Sequence, residues 1–261
     1  MSLYAELFQH LMSAYRNKEI PKQVRNGSRV FAFTLAEVLI TLVIIGVIAA
    51  LTIPNLMQKY TEQTTVKKVQ KFYSNLSNAY KLAMKDNGTA DEWGLTPFDE
   101  PGASKIYTLL FKPYFKIAKD CGVKNTGKCL KNERYKYLNN SVAQSYGELN
   151  YHYKLLLDDG SAVSLKVEEH PNIYNIAIMY DINGKKEPNT WGKDMFYFAI
   201  KNNKVFPVGI QSGDFSHNPF NGNCNNTTST GSGCTAWIIY KGNMDYLHCD
   251  LTWDKHSCKD K

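Results

Sequence analysis

The sequence lacks the signatures by which most enzymes are recognised. It has no nucleophile elbow, no phosphate-binding loop and no HExxH helix. Its six histidines are scattered, and Cys129 and His152 form no recognisable dyad. These absences point away from an exported hydrolase and from enzymes generally. No stripe of Lys and Arg interleaves with aromatics, so the net charge of +7 reads as a solvated basic surface, with little support for nucleic-acid binding. Internal repeats are absent. Leucine does not dominate, whereas tyrosine is frequent at 17 residues, a balance that favours strands and polar surfaces over a helical bundle.

Charge is missing altogether from one stretch. Between Val38 and Ile53 the only polar residues are Thr41 and Thr52. Extended back to Phe33, the apolar run covers roughly 20 residues, about 30 Å of helix, which matches a bilayer core. One carboxylate, Glu37, stands at its head. Ahead of the run, residues 1–32 hold Arg16, Lys18, Lys22, Arg25 and Arg29 against Glu6 and Glu19. By the positive-inside rule this segment stays in the cytoplasm and residues after about 55 are exported. A conventional secretory signal fits poorly: a cut at Val47–Ala49 would fall inside continuing hydrophobicity, and the segment ahead is long.

No cysteine precedes Cys121. All six (Cys121, Cys129, Cys224, Cys234, Cys249, Cys258) follow the apolar run. An even number in an oxidising compartment reads as disulfides. Many pairings are possible; the simplest joins sequence neighbours, 121–129, 224–234 and 249–258. The first two close obvious Gly/Asn/Ser-rich loops. A zinc site from His248, Cys249, His256 and Cys258 is the competing reading, against which stand non-standard spacing and export.

The junction Ala32, Phe33, Thr34, Leu35, Ala36, Glu37 resembles the class III leader junction of type IV pilins and type II secretion pseudopilins. The resemblance is specific over residues 29–56 and architectural beyond. It implies cleavage between Ala32 and Phe33 by a prepilin peptidase and N-methylation of Phe33. It also implies that Glu37 pairs with a neighbour's amino terminus during assembly, and that Pro54 loosens the helix. Ala32 departs from the usual Gly before the cut, and Met12 is an alternative start giving a shorter leader. In the same family, partners would be other pilin or pseudopilin subunits, the peptidase, an inner-membrane assembly platform and membrane lipid. A head-to-tail contact of this kind does not close on itself and so builds a helical filament.

Beyond Pro54 the helix resumes. Val69, Phe72, Tyr73, Leu76, Tyr80 and Met84 recur at three- and four-residue steps, one face of an amphipathic helix that stops at Asn87-Gly88. One helix from 33 to about 86 follows, roughly 80 Å long. Residues 89–101 read as turns, and 104–120 as helical pieces broken at Pro113. "YHYKLLLDDGSAVSLKV" alternates about Asp159-Gly160, a hairpin. A second strand pair flanks the loop Asp181–Asp194, and "NKVFPVGI" and "TAWIIYKGN" read as two more strands. Residues 211–235 read as a surface loop. The expected class is α+β: a long amino-terminal helix, membrane-spanning in its first half, packed on an antiparallel sheet in the pilin-like manner. The expected organisation is a cleaved basic leader at 1–32, a transmembrane and assembly segment at 33–56, and an exported globular domain at 57–261.

No cofactor is required by this reading. Asp181, Asn183 and Asp194 are hard oxygen donors that could hold calcium with help from carbonyls or water, but the loop lacks the EF-hand spacing. A solvated Asn-Gly hairpin turn is the favoured account. The function that emerges is a structural subunit of a pilus-like or pseudopilus filament, anchored in the inner membrane with an extracytoplasmic domain. The alternative is a filament-tip or anchored binding module recognising a surface, DNA or an exported protein through its carboxy-terminal loops.

Overall fold

In a computed structural model of the chain, residues 34–126, 128–168, 176–210 and 218–259 are described. The chain divides into two compact units, one ending at Thr52 and one from Ile53 to Lys261. Helix α1 spans Leu35–Asn87 with Pro54 inside it. Proline has no N–H to give the carbonyl of Ala50, yet the helical hydrogen bonding resumes on both sides. Gly88, at φ +76°, ends the helix, its N–H donating to the Met84 carbonyl at 3.0 Å.

In the second unit, α1 presents Val66, Val69, Phe72, Leu76, Ala79, Tyr80 and Ala83, all buried. Their three- and four-residue steps put them on one face. That face packs on a six-stranded antiparallel meander in sequence order, β1 (Ile117–Gly122), β2 (Tyr153–Leu157), β3 (Ala162–Val167), β4 (Ile176–Asp181), β5 (Met195–Lys201) and β6 (Lys204–Pro207). Both faces of the central strands are buried. On β4, Ile176, Ile178 and Tyr180 join the core beneath α1, while Ala177 and Met179 join a second core; Phe196, Phe198 and Ile200 divide likewise from Met195, Tyr197 and Ala199 on β5. This is the period-two alternation of a strand. The Phe72 and Tyr180 rings stack 3.9 Å apart, and Phe198 lies 5.3 Å from Phe72.

The second core is covered by the β1–β2 connection, through Leu130, Tyr135, Ala143 and Tyr146. A buried lysine ties this cover down: Lys154 on β2 donates through Nζ to the carbonyls of Val123 and Leu149, and burial lowers its pKa to about 8. The β5–β6 turn uses Asn202 and Asn203, both at positive φ (48° and 59°), a conformation asparagine adopts more readily than most residues.

Three expectations change. First, "TAWIIYKGN" lies largely in a helix, Cys234–Lys241, closed by Gly242 at φ +73°, which donates to the Ile238 carbonyl. Cys234 through Ile238 are all buried, and a short continuous apolar run carries no period that separates strand from helix. Second, the stretch expected to be helical pieces contains a helix at Glu100–Ile106, a wider turn at Tyr107–Phe111, and then edge strand β1. That strand is largely exposed and its register slips twice against β2, so it offers no clean alternation. Third, the described part of 211–235 is no surface loop. Phe220 and Cys224 are fully buried, and the Phe220 ring stacks on Trp237 at 4.6 Å. Gly209 permits this closure: at φ +117°, a Cβ there would meet the Gly233 carbonyl oxygen at 1.8 Å.

Candidate functional site

The amino-terminal segment of α1 is hydrophobic all round, and its large side chains are bare. Leu35, Ile40, Leu42, Ile45 and Leu51 are 59–69 % exposed, and none of the most apolar window is buried. A soluble helix conceals such residues; an apolar surface of this extent marks a membrane or protein contact. Length and composition suffice for one membrane crossing.

Glu37 heads this segment in a defined geometry. Its Oε2 accepts hydrogen bonds from the Thr34 backbone N–H and hydroxyl, both at 2.8 Å, and its own N–H donates to Thr34 Oγ1 at 3.2 Å. That reciprocal arrangement is a capping box, which satisfies amides left over at a helix start. Its sequence signal, Thr-x-x-Glu, was present at residues 34–37 and gives Glu37 a local role besides any assembly role. Thr34 is therefore a site residue that the leader comparison alone misses. Ala32 and Phe33, the expected cleavage and methylation residues, lie outside the described residues.

The cysteines form three disulfides, Cys121–Cys129, Cys224–Cys234 and Cys249–Cys258. The zinc reading is thereby overturned: Cys249 and Cys258 are bonded to each other, and a thiolate is what zinc requires.

The β4–β5 loop brings Asp181, Asn183 and Asp194 together. Asp181 Oδ2 accepts from the Tyr135 hydroxyl at 2.9 Å and Oδ1 from the Asn183 N–H at 3.1 Å. Asp194 Oδ1 accepts from the Thr190 N–H at 2.6 Å, and Oδ2 from the Asn189 N–H at 2.8 Å and Asn183 Nδ2 at 3.3 Å. The expected solvated turn is corrected here. Lys185–Pro188 are exposed, but both carboxylates sit beneath the β1–β2 cover, at 0 % and 2 % exposure. Burial raises both pKa values, that of Asp194 to about 6, and the neighbouring Asp194 charge raises Asp181 further.

Among the described residues no three His, Cys, Asp or Glu side chains cluster as a metal site. The amide oxygens change the count. Asn183 Oδ1 and both ends of the Asn189 amide, Oδ1 and Nδ2, are buried with no hydrogen-bond partner. Two orphaned amide oxygens on the same loop as two carboxylates buried against their electrostatic preference supply donors of the kind a hard divalent cation takes, with carbonyls or water completing the six to eight oxygens roughly needed. Asn189, absent from the sequence reading, is the added donor.

No curated protein matches the chain, and no solved structure matches it. One family model does, over residues 55–242, beginning just past the apolar run. The chain belongs to that group, the Family of unknown function (DUF6613).

Proposed function

We propose that the protein is a prepilin-like subunit that enters the inner membrane through α1, is cut between Ala32 and Phe33, and polymerises into a pilus-like or pseudopilus filament. The observation that carries this reading is the exposed apolar segment of α1, headed by Glu37 and joined to a unit whose own core is filled. A plain anchor capped by Thr34 and Glu37 explains the hydrophobicity and the carboxylate, but not the Ala32–Phe33 junction that would make Glu37 the fifth residue of the processed chain. In the filament, Glu37 would exchange part of its Thr34 contact for the ammonium of a neighbour's Phe33, an ion pair favoured where water is scarce. The disulfides support placing the domain from residue 57 onward outside the cytoplasm, where such bonds persist. In the β4–β5 loop, Asp181, Asn183, Asn189 and Asp194 would hold a calcium ion, which would neutralise the two carboxylates and fix the loop.

The test is Glu37→Ala. Membrane insertion and the fold of the domain should be unchanged, because Glu37 touches neither core. Filaments in sheared fractions should be lost rather than shortened, since the defect recurs at every head-to-tail contact. Normal filament yield would leave Glu37 as a helix cap of a simple anchor, the arrangement expected of an anchored binding module.

A further inference from the structure

The three disulfides differ in their surroundings. Cys121, Cys129, Cys224 and Cys234 are each no more than 2 % exposed. Cys258 is exposed and Cys249 half-buried. The family match includes the first two pairs and stops at residue 242, so the third pair lies in a segment beyond it.

That segment is a clasp. The Cys258 N–H donates to Asp245 Oδ2 at 2.8 Å, and Asn243 Nδ2 donates to the His256 carbonyl at 2.7 Å. Asn243 Oδ1 in turn accepts from Trp237 Nε1 at 2.7 Å and from the Asp245 N–H at 3.0 Å. Directly before Cys249, His248 Nε2 lies 2.9 Å from Glu62 Oε1 on α1. The stretch Gly242–His248 forms one wall of a groove of about 1010 Å³, with α1 from Asn55 to Gln70 as the other; Gln58, Tyr60 and Val66 line it on the helix side and Met244 and Asp245 on the loop side. The disulfide thus fastens the far end of the loop to the residue that shapes this wall, through Cys258 and Asp245.

We propose that Cys249–Cys258 is a site of thiol–disulfide exchange, opened selectively by a dithiol reductant, and that its opening loosens the exposed edge of the groove at His248 and the loop that follows it. Exchange requires a thiolate to reach one sulfur in line with the bond, so access sets which disulfide reacts. A reductant thiolate attacks Cys258 Sγ and expels the Cys249 thiolate. The second thiol of the reductant then attacks the mixed disulfide at the reductant's own sulfur and expels the Cys258 thiolate. Two electrons and two protons pass from the dithiol to the cysteines, and the reductant leaves as its disulfide. Cys224–Cys234 has no such approach, being enclosed in the core with Phe220 and Trp237. Once the bond is open, Met244, Tyr246 and Leu251 still hold the segment to the core, Tyr246 donating through its hydroxyl to the Gly192 carbonyl at 2.7 Å and Leu251 through its N–H to the Asn225 carbonyl at 2.9 Å, while His248 and the exposed loop up to Cys258 lose the covalent tie between them.

The test treats the full-length protein in detergent with limiting dithiothreitol, samples it over time, alkylates the freed thiols and locates them by peptide mass spectrometry. Hydrogen exchange is followed in parallel. Cys249 and Cys258 should be labelled at least about tenfold faster than the other four, as access-limited exchange requires. Exchange should rise in residues 248–259, while Met244–Leu247 and β3–β5 stay protected. Opening of all three pairs at one rate would overturn the selectivity, and selective opening with unchanged exchange at 248–259 would overturn the loosening. The double variant Cys249→Ser, Cys258→Ser should show the raised exchange without reductant. Should it fail to fold, the timed reduction of the native chain still decides the matter.

Discussion

Two stretches of the same helix behave as different materials. From Leu35 to Ile53, α1 is apolar on every side and its large side chains are exposed. From Thr65 to Ala83, one stripe is buried against the sheet, and residues such as Lys67, Lys71 and Lys81 lie in the open. Helical hydrogen bonding is common to both, so the backbone does not distinguish them. The distinction is how many faces need a dry neighbour: one face for the amphipathic stretch, met by β3–β5, and all faces for the apolar stretch, met by nothing among the described residues of its own unit. A segment of the second kind is built for lipid or for other chains.

Core substitutions break this comparison most strongly. Phe72 is 4 % exposed and touches Phe115, Tyr180 and Phe198. Phe72→Ala should cost the folded domain about 3–5 kcal/mol, the range for a buried phenylalanine. Ile44→Ala, in the bare stretch, should leave domain stability unchanged within about 0.5 kcal/mol, as for surface sites. Chemical denaturation of both variants in detergent checks this pair. Equal losses would mean that the apolar stretch contributes to the domain core.

The β4–β5 loop gives a smaller effect with a defined sign. The carboxyl of Asp194 titrates near 6 in the fold, raised by burial from a usual value near 3.8. Its protonated form is therefore preferred in the folded state. The associated stability is complete below about pH 4 and is lost as pH rises through about 6; Asp181, also raised, adds to the loss at higher pH. Calcium should oppose it at neutral pH, by about 2.7 kcal/mol at a hundredfold excess over its dissociation constant. Thermal melts at pH 5 and pH 7, with calcium and with a chelator, should show calcium acting mainly at pH 7. In Asp194→Asn both the pH dependence and the calcium response should diminish. A native protein indifferent to calcium at pH 7 would mean that the orphaned Asn183 and Asn189 oxygens are satisfied by water.

The sequence revealed those parts of the molecule in which one physical signal acted alone. The hairpin at Asp159-Gly160 and the α1 face from Val69 to Met84 follow from turn chemistry and periodicity. The apolar run from Val38 to Ile53 follows from the absence of charge. Strand β1 stayed hidden because it is an exposed edge with slipping register, so its residues carry no alternation. The helix at Cys234–Lys241 was masked because Cys234 through Ile238 are buried in one continuous run. In the candidate sites, Thr34 was legible as a cap signal but overshadowed by the leader comparison. Asn189 was not legible, since only the folded loop leaves its side-chain oxygen buried without a partner.

The central claim, processing and assembly through α1, is tested most directly by the intact mass of the protein extracted from membranes of cells with an active prepilin peptidase. The account predicts a mature chain that begins at Phe33 and carries one added methyl group, with Glu37 its fifth residue. A chain that retains residues 1–32 in those cells would contradict it.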